Sequence, residues 1–457
     1  ENLLTNSGFD VWSNSTLEDV GSELVTNGTF ASNITGWTLQ RSAVLSHQTD
    51  KIRVTNGGGV ASGIAEQQIT VVEGKLYKLT YDIKTVSGVA SAYIRVSTGS
   101  ATSGTFYVSE TPVVGDGQSV VFEATTGTTL FVALQNYAGS DGDYCEFDNI
   151  TLKEVTPGCV AANTLAMDGW GKASGLDIWR QHNDGGTYTH DGSFYALKTT
   201  TSGVDQHVSW HAYPASISDE PFFVQRFAGR TVTLGAWVKT STGVSGTGGV
   251  AHASLRVYDG VSTASSSTPH TGGGNWEWLE VTHTVAATPT YFWCFLDFAI
   301  TATDAYVSQP MLVFGSAIGS GNYSRPSGEW VYSEARKYLT NFSGQGYSAA
   351  TAQGINLESE SSGVVPKGAK AVLVKVFCKD PDTANGTPGF QLFGLDTNAA
   401  DLVADCNFAD AAGRDNQYSY ANGIVPCDAD GDISYYSYAS GSSTLTVYVA
   451  ILGVQLR

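Results

Sequence analysis

Two segments place tryptophan where it could meet a sugar. In Asn275-Trp-Glu-Trp-Leu-Glu-Val-Thr282, Leu279 and Val281 fall on one face of a strand, so Trp276, Trp278 and Glu280 fall on the other. In Tyr291-Phe-Trp-Cys-Phe-Leu-Asp-Phe298 the faces divide as Phe292, Cys294, Leu296 and Phe298 against Tyr291, Trp293, Phe295 and Asp297. Strands with aromatics on both faces need a second cover: a loop, a neighbouring subunit or a ligand. Sugar rings stack on Trp and Tyr, and adjacent Asp, Glu or Arg take the hydroxyls. Trp276, Trp278 and Trp293 are therefore candidates for glycan contact, with a domain or subunit interface as the competing reading. A smaller set, Tyr93, Arg95, Gln135 and Tyr137, lies on the polar face of two other strand-like segments and has the composition of a sugar cleft.

Metal chemistry has two candidates by spacing. Asp428-Ala-Asp430-Gly-Asp432 alternates carboxylates around a glycine, as calcium loops do, without the distal Glu of an EF-hand. Its competing reading is an exposed acidic turn. Asp380, Asp382 and Asn385 have the wrong spacing for such a loop. His207 and His211 share a face, but the Glu of a zinc-protease helix is missing and the flanks are not helical. No nucleophile elbow, P-loop or dinucleotide fingerprint occurs. Glu277 and Glu280 lie on opposite strand faces, and the short repeats of a depolymerising β-helix are absent. The chain reads as a non-enzyme.

The elements that position these residues are strands. The chain has 457 residues, 15% of them charged, against about 25% in an average soluble protein. It carries 52 Gly, 22 Tyr, 19 Phe and 10 Trp, a profile of short strands joined by small-residue turns rather than of helices. Tyr77, Leu79, Tyr81 and Ile83 alternate with polar residues, as do Ala92, Ile94 and Val96, and Val232, Leu234, Ala236 and Val238. Period two with one apolar face means half-buried antiparallel strands. The net charge of −19 disfavours nucleic acid and anionic lipid as partners. No apolar run approaches the roughly 18 residues of a membrane span. The chain opens on Glu1 without a signal peptide, which reads as a processed or truncated start. Six cysteines are too few for a disulfide scaffold; Cys294 alternates with core residues, and Cys406 and Cys427 could pair, although spacing does not decide it.

Internal repeats set the domain plan. Asn2-Leu-Leu-Thr-Asn-Ser-Gly-Phe9 is echoed by Glu23-Leu-Val-Thr-Asn-Gly-Thr-Phe30, and Glu73–Lys84 is echoed by Ala228–Lys239. The unit around 22–156 has both an opening and a closing strand, whereas the later unit has no opening strand of its own. The first segment supplies it. The expected plan is all-β: tandem jelly-roll β-sandwiches with one inserted in the other, then a C-terminal β-sandwich. Residues 1–18 open the second jelly roll, 19–157 form the inserted one, and 158–318 complete the second. Residues 319–345 form a junction in which Trp330, Glu334 and Tyr338 fit a short helix, and 346–457 form the C-terminal domain.

Glu23–Phe30, Trp37, Gly74–Lys84 and Phe147-Asp148-Asn-Ile-Thr-Leu152 resemble the jelly-roll carbohydrate-binding modules of the xylan- and glucan-binding type. That resemblance implies a structural calcium held by Asp148 and by oxygens of the opening segment, at Asn27 and Thr29. Over the whole chain, the opening Asn2–Trp12 segment, a jelly roll, and a junction of Pro326, Glu329, Ala335 and Tyr338 before a small β domain resemble phage tail fibres and other virion appendage proteins. This implies a homotrimer on a virion, attached to other virion proteins and binding host-surface glycan. The 446–452 strand and the 330–339 helix would supply its subunit contacts. Two alternatives stand beside it: an architectural capsid or collar decoration, and an accessory binding region of a secreted polysaccharide-degrading enzyme.

Overall fold

The alternating segments form strands, and among the described residues the strands form six sheets. The computed structural model describes the chain apart from residues 20, 42, 60–61, 89–90, 159–165, 183–186, 202–205, 212–223, 241–252, 299–303, 340–348, 380–388, 395–401, 408–417, 439–444 and 457. Asp380, Asp382 and Asn385 lie outside the described residues. The chain divides into two compact units, Leu17–Thr156 and the combination of Glu1–Thr16 with Pro157–Arg457.

The smaller unit, the inserted module, is a jelly roll. One sheet runs Ala43–Gln48, Lys51–Asn56, Tyr144–Gly158, Leu76–Val86, Gly115–Glu123, with Thr16–Asp19 added to the long strand. The other runs Thr38–Gln40, Ser62–Thr70, Thr129–Tyr137, Ser91–Gly99, Ser103–Glu110. Between them pack Phe30, Ile52, Leu79, Ile94, Leu134 and Phe147.

The larger unit contains a second jelly roll, the host module, with the same connectivity. Its sheets run Leu176–His182, Tyr195–Thr201, Asp304–Phe314, Thr231–Thr240, Trp276–Thr284 and Trp170–Lys172, Gln206–His211, Trp293–Phe298, Ala253–Tyr258, Ser265–Ser266. Counted along the chain from the strands that begin at Thr38 and Trp170, both modules order their strands second–third–tenth–fifth–eighth and first–fourth–ninth–sixth–seventh.

Residues 2–12 build into the host module. Leu4, Phe9 and Trp12 are wholly buried in its core. The Leu3 amide donates to the Leu312 carbonyl at 2.8 Å, as the Leu24 amide donates to the Leu152 carbonyl at 2.9 Å in the inserted module. The echoed sequences adopt echoed backbones. Asn6 and Phe9 have φ of 52° and 58°, and Asn27 and Phe30 have 55° and 47°. A left-handed Phe is strained. Burial of its ring against a tryptophan holds it there: Phe9 meets Trp170 at 5.7 Å and Phe30 meets Trp37 at 5.6 Å.

The larger unit ends in a sandwich of two four-stranded sheets, Trp330–Tyr338, Thr446–Gln455, Ala371–Lys379, Tyr418–Pro426 and Ala349–Ile355, Ile433–Tyr438, Gly389–Phe393, Leu402–Asn407. Its helix is Leu357–Glu360, with the Asn356 side chain accepting from the Ser359 amide.

The junction helix expected at 330–339 is not formed. Residues Trp330–Tyr338 are an edge strand on Thr446–Gln455, with an irregularity between Tyr332 and Lys337. Trp330, Glu334 and Tyr338 match helical spacing, but burying Val331 and Leu339 in the sandwich core and pairing backbone with a ready strand outweighs it. The Thr446–Gln455 strand spends Val447, Val449 and Ile451 on its own core rather than on a subunit contact.

Candidate functional site

In the inserted module, strand Thr129–Tyr137 lies between Ser62–Thr70 and Ser91–Gly99. The register sets rows across the face turned away from the core: Ser62–Tyr137–Ser91, Ile64–Gln135–Tyr93 and Glu66–Ala133–Arg95. Tyr93, Arg95, Gln135 and Tyr137 are therefore neighbours. The Tyr93 and Tyr137 rings meet edge-on at 5.3 Å. The Arg95 guanidinium lies 4.3 Å from the Tyr93 ring centre and 5.3 Å from that of Phe106. Tyr137 and Phe106 are each 43% exposed, so aromatic surface is offered to solvent.

Two polar atoms on this face lack a protein partner. Gln135 is 1% exposed; its amide nitrogen donates to Ser62 Oγ, and its Oε1 accepts nothing from the protein. The buried Arg95 Nε likewise donates to no protein atom. A buried polar atom left unpaired costs about 1–3 kcal/mol. An acceptor and a donor in neighbouring rows of one face, with exposed rings, match the edge and face of a sugar.

Sequence reading missed two members of this face, Glu66 and Phe106. Glu66 is 3% exposed and saturated: Oε1 accepts from Gln40 at 2.7 Å and from the Ser100 hydroxyl at 2.5 Å, and Oε2 accepts from the Ala101 amide at 2.7 Å. Its strand is buried on both faces over most of its length, which hides the alternation. Phe106 sits on the edge strand Ser103–Glu110, whose pairing is twice irregular.

The host module uses the corresponding face differently. Its rows are His211–Trp293–Tyr258, Ser209–Phe295–Arg256 and His207–Asp297–Ser254. Arg256 takes the place of Arg95, each flanked by a core Leu/Ile and Val on the corresponding strand. Asp297 holds Arg256 bidentately at 2.7 and 2.9 Å. The Trp293 ring is covered by His211, stacked at 4.7 Å and 16°.

Trp276 and Trp278 do not join Trp293. They lie on the other host sheet, whose outer face is covered by the 187–194 loop. His190 stacks on Trp237 at 3.9 Å and meets Trp276 edge-on, and Tyr188 stacks on Tyr306 at 4.7 Å. Lys239 Nζ donates to the Thr187 carbonyl at 2.8 Å and Gln309 to the Asp191 carbonyl at 2.7 Å. Trp278 lies across Gly235, where a Cβ would stand 2.3 Å from the indole. A loop of the same chain thus closes this aromatic face.

The segment of Asn27 and Thr29 lies beside the closing strand, where the Ile150 amide donates to the Gly28 carbonyl at 3.0 Å. The Asn27 amide nitrogen donates to the Asn33 and Thr35 carbonyls at 2.9 and 3.0 Å, its carbonyl accepts from Trp37, and Thr29 is exposed. Asp148 accepts from the Asn149 amide at 2.7 Å, and Lys84 Nζ stands 4.0 Å away. Burial raises the Asp148 carboxyl. Calcium needs six to eight oxygens; at Asp148 one carboxylate oxygen already accepts from a protein amide, and Lys84, 4.0 Å away, is itself held at 2.8 Å by Asp82 and by Asp116. In the C-terminal turn, Asp428 Oδ1 accepts from the amides of Asp430 and Asp432 at 2.9 and 2.8 Å. Asp432 Oδ1 accepts from the Leu357 amide, and Asp430 faces Lys367 at 3.7 Å. The three carboxylates point to three places, and among the described residues no three His, Cys, Asp or Glu side chains form a metal cluster. Cys427 is a buried free thiol.

The junction motif is a fastener. Glu329 Oε1 accepts from the Asn6 amide at 2.6 Å, and Arg325 pairs with Asp10. Opening segment and junction are thus physical partners. Arg325 lines a cleft of about 330 Å³ with Phe194, Tyr323, Lys367 and Lys370, but Asp10 and Glu329 already balance its charge. Among the described residues no helix is long and apolar enough to cross a membrane.

No protein-family model and no curated protein matches the chain. Among solved structures, the chain is similar to the N-terminal tandem of two CBM22 modules of Xyn10C from Paenibacillus barcinonensis (14% identity, TM-score 0.30), over 66% of this chain and 99% of that one. It is similar to the enzymatically active domain of bacteriophage CBA120 tailspike protein 4 (15%, 0.19), over 34% of this chain and 21% of that one. It is also similar to an archaeal virus protein with a triple jelly roll fold and turret assembly (10%, 0.17), over 92% and 89%.

Proposed function

We propose that the chain is a non-enzymatic glycan-binding protein of a virion appendage, and that the outer face of the inserted module is its sugar site. The observation that carries this reading is the convergence of Tyr93, Arg95, Gln135 and Tyr137, with a buried amide oxygen and a guanidinium nitrogen unpaired beside exposed rings. The host module lends support by contrast: its matching arginine is neutralised, and a tryptophan on the same face is covered. The virion setting rests on the order of the opening and junction motifs, and Glu329 gives that order a physical basis by binding the opening segment. Assembly as a homotrimer belongs to the same proposal. The outer face of the C-terminal sandwich offers apolar surface for it, with Phe377 and Tyr448 stacked at 4.6 Å and Tyr420 60% exposed.

A glycan array probed with the whole chain tests the binding claim. Wild-type protein is expected to mark a restricted set of glycans, and Tyr93→Ala with Tyr137→Ala is expected to lose at least tenfold in affinity, since each stacked ring contributes on the order of 1 kcal/mol. A double variant that binds like wild type removes this face from consideration.

A further inference from the structure

We infer that the face of the inserted module selects a sugar bearing a carboxylate, a uronic-acid residue, and that Arg95 reads that carboxylate. This rests on the sugar-binding reading above and names the ligand class at the same site.

The argument is a charge left open in one module and closed in the other. In the host module, Asp297 lies one row along from Phe295 and grips Arg256 through two hydrogen bonds. In the inserted module the residue one row along from Ala133 is Gln135, a neutral amide. Arg95 makes no ion pair with a described residue, and its orientation is fixed by the rings of Tyr93 and Phe106 rather than by an acid. Glu66 does not fill the gap. It lies two strands away, about 10 Å at ordinary strand spacing, with Ala133 between, and its oxygens are taken by Gln40, Ser100 and Ala101.

What remains is a planar cation with no counter-ion beside an amide oxygen with no donor. A guanidinium fork fits a carboxylate bidentately, and an amide oxygen fits a hydroxyl. A uronic acid carries both on one ring, a carboxylate at C5 and a hydroxyl at C4, and its apolar face suits Tyr137 and Phe106. Arg41 adds a second guanidinium at the same rim, reaching the Ser62 hydroxyl at 3.4 Å and the Ala101 carbonyl at 3.3 Å. In a chain of net charge −19, this face concentrates cations around one saturated acid.

Calorimetric titration of the whole chain tests the inference with two ligands: a glucuronate-containing tetrasaccharide and its neutral counterpart with glucose in that position. The acidic ligand is expected to bind about tenfold tighter, with the preference shrinking as salt is raised. Arg95→Met is expected to abolish the preference, so that the acidic and neutral ligands bind within about twofold of each other; Arg95→Lys keeps the charge without the fork and retains part of the preference. Equal wild-type affinities, or a preference that survives Arg95→Met, overturns the carboxylate inference and leaves sugar binding standing. Absence of heat with both ligands overturns sugar binding and the inference together.

Discussion

In the inserted module, the sheet that holds Glu146 is closed from outside by charge. Glu146 is 2% exposed and accepts from Lys51 at 2.7 Å, from Arg53 at 2.6 and 2.9 Å and from Thr85 at 2.8 Å. In the host module, the corresponding sheet is closed by rings, with Tyr306 under Tyr188 and Trp237 under His190. The opposite sheets trade roles as well. The inserted module leaves Arg95 without an acid and Tyr137 open, whereas the host module locks Arg256 to Asp297 and stacks His211 on Trp293. Strand order and the left-handed Asn and Phe of the opening segment are the same in both. The common fold therefore says nothing about which face binds; the side chains at a few register positions decide it.

The largest expected effect separates the modules by stability. Asp259 of the host module is wholly buried and accepts from the amides of Val261, Ser262 and Ala286 at 2.9, 2.6 and 2.7 Å, and from His283 at 3.2 Å. Burial alone would raise its carboxyl, but these donors hold it well below the usual range. Asp259→Ala strands three amides and is expected to cost about 3 kcal/mol. Thermal unfolding should show the host transition falling while that of the inserted module holds; a common shift of both breaks the comparison.

A smaller effect comes from acid. Burial opposes the charge of Glu146, yet the hydrogen bonds from Lys51, Arg53 and Thr85 lower its carboxyl below the ordinary value. A depressed acid contributes stability that is fully present above the unfolded value and is lost as pH falls through the folded one. The inserted module should lose on the order of 1 kcal/mol between about pH 5 and pH 3, the partial exposure of Lys51 and Arg53 limiting the size. Glu146→Gln should flatten that slope. A slope unchanged by the substitution removes the ionic half of the contrast.

Much of this was legible in the sequence, and the reasons differ by region. The echo of Asn2–Phe9 in Glu23–Phe30 is readable because both segments must place Asn and Phe in the left-handed region and bury the same ring. Tyr93, Arg95, Gln135 and Tyr137 are readable because their strands alternate cleanly. Trp276 and Trp278 are aromatic for a reason that spacing does not carry: His190, from a loop far earlier in the chain, returns to cover Trp276 and Trp237, and Trp278 packs on Trp237. Trp293 belongs to the other sheet, which alternation within one strand cannot reveal. The Trp330–Tyr338 edge strand imitates a helix because its middle residues are exposed and its pairing slips. Asp148 has the position of a metal ligand, but Lys84, reached only through folding, stands beside it.

The smallest expected effect follows from that lysine. Chelation with EDTA should move the melting temperature of the inserted module by less than about 1 °C, because the Asp148 carboxylate accepts from the Asn149 amide and has Lys84 Nζ 4.0 Å away. A fall of several degrees, reversed by added calcium, would restore the metal to that edge.

The central claim is that one face binds sugar and its twin does not. The direct measurement is calorimetric stoichiometry on the whole chain with a bound oligosaccharide, in wild type, Tyr137→Ala and Trp293→Ala. The account predicts one ligand per chain in wild type and in Trp293→Ala with the same affinity, and binding about fivefold weaker in Tyr137→Ala. Affinity unchanged in Tyr137→Ala and lowered in Trp293→Ala would contradict it.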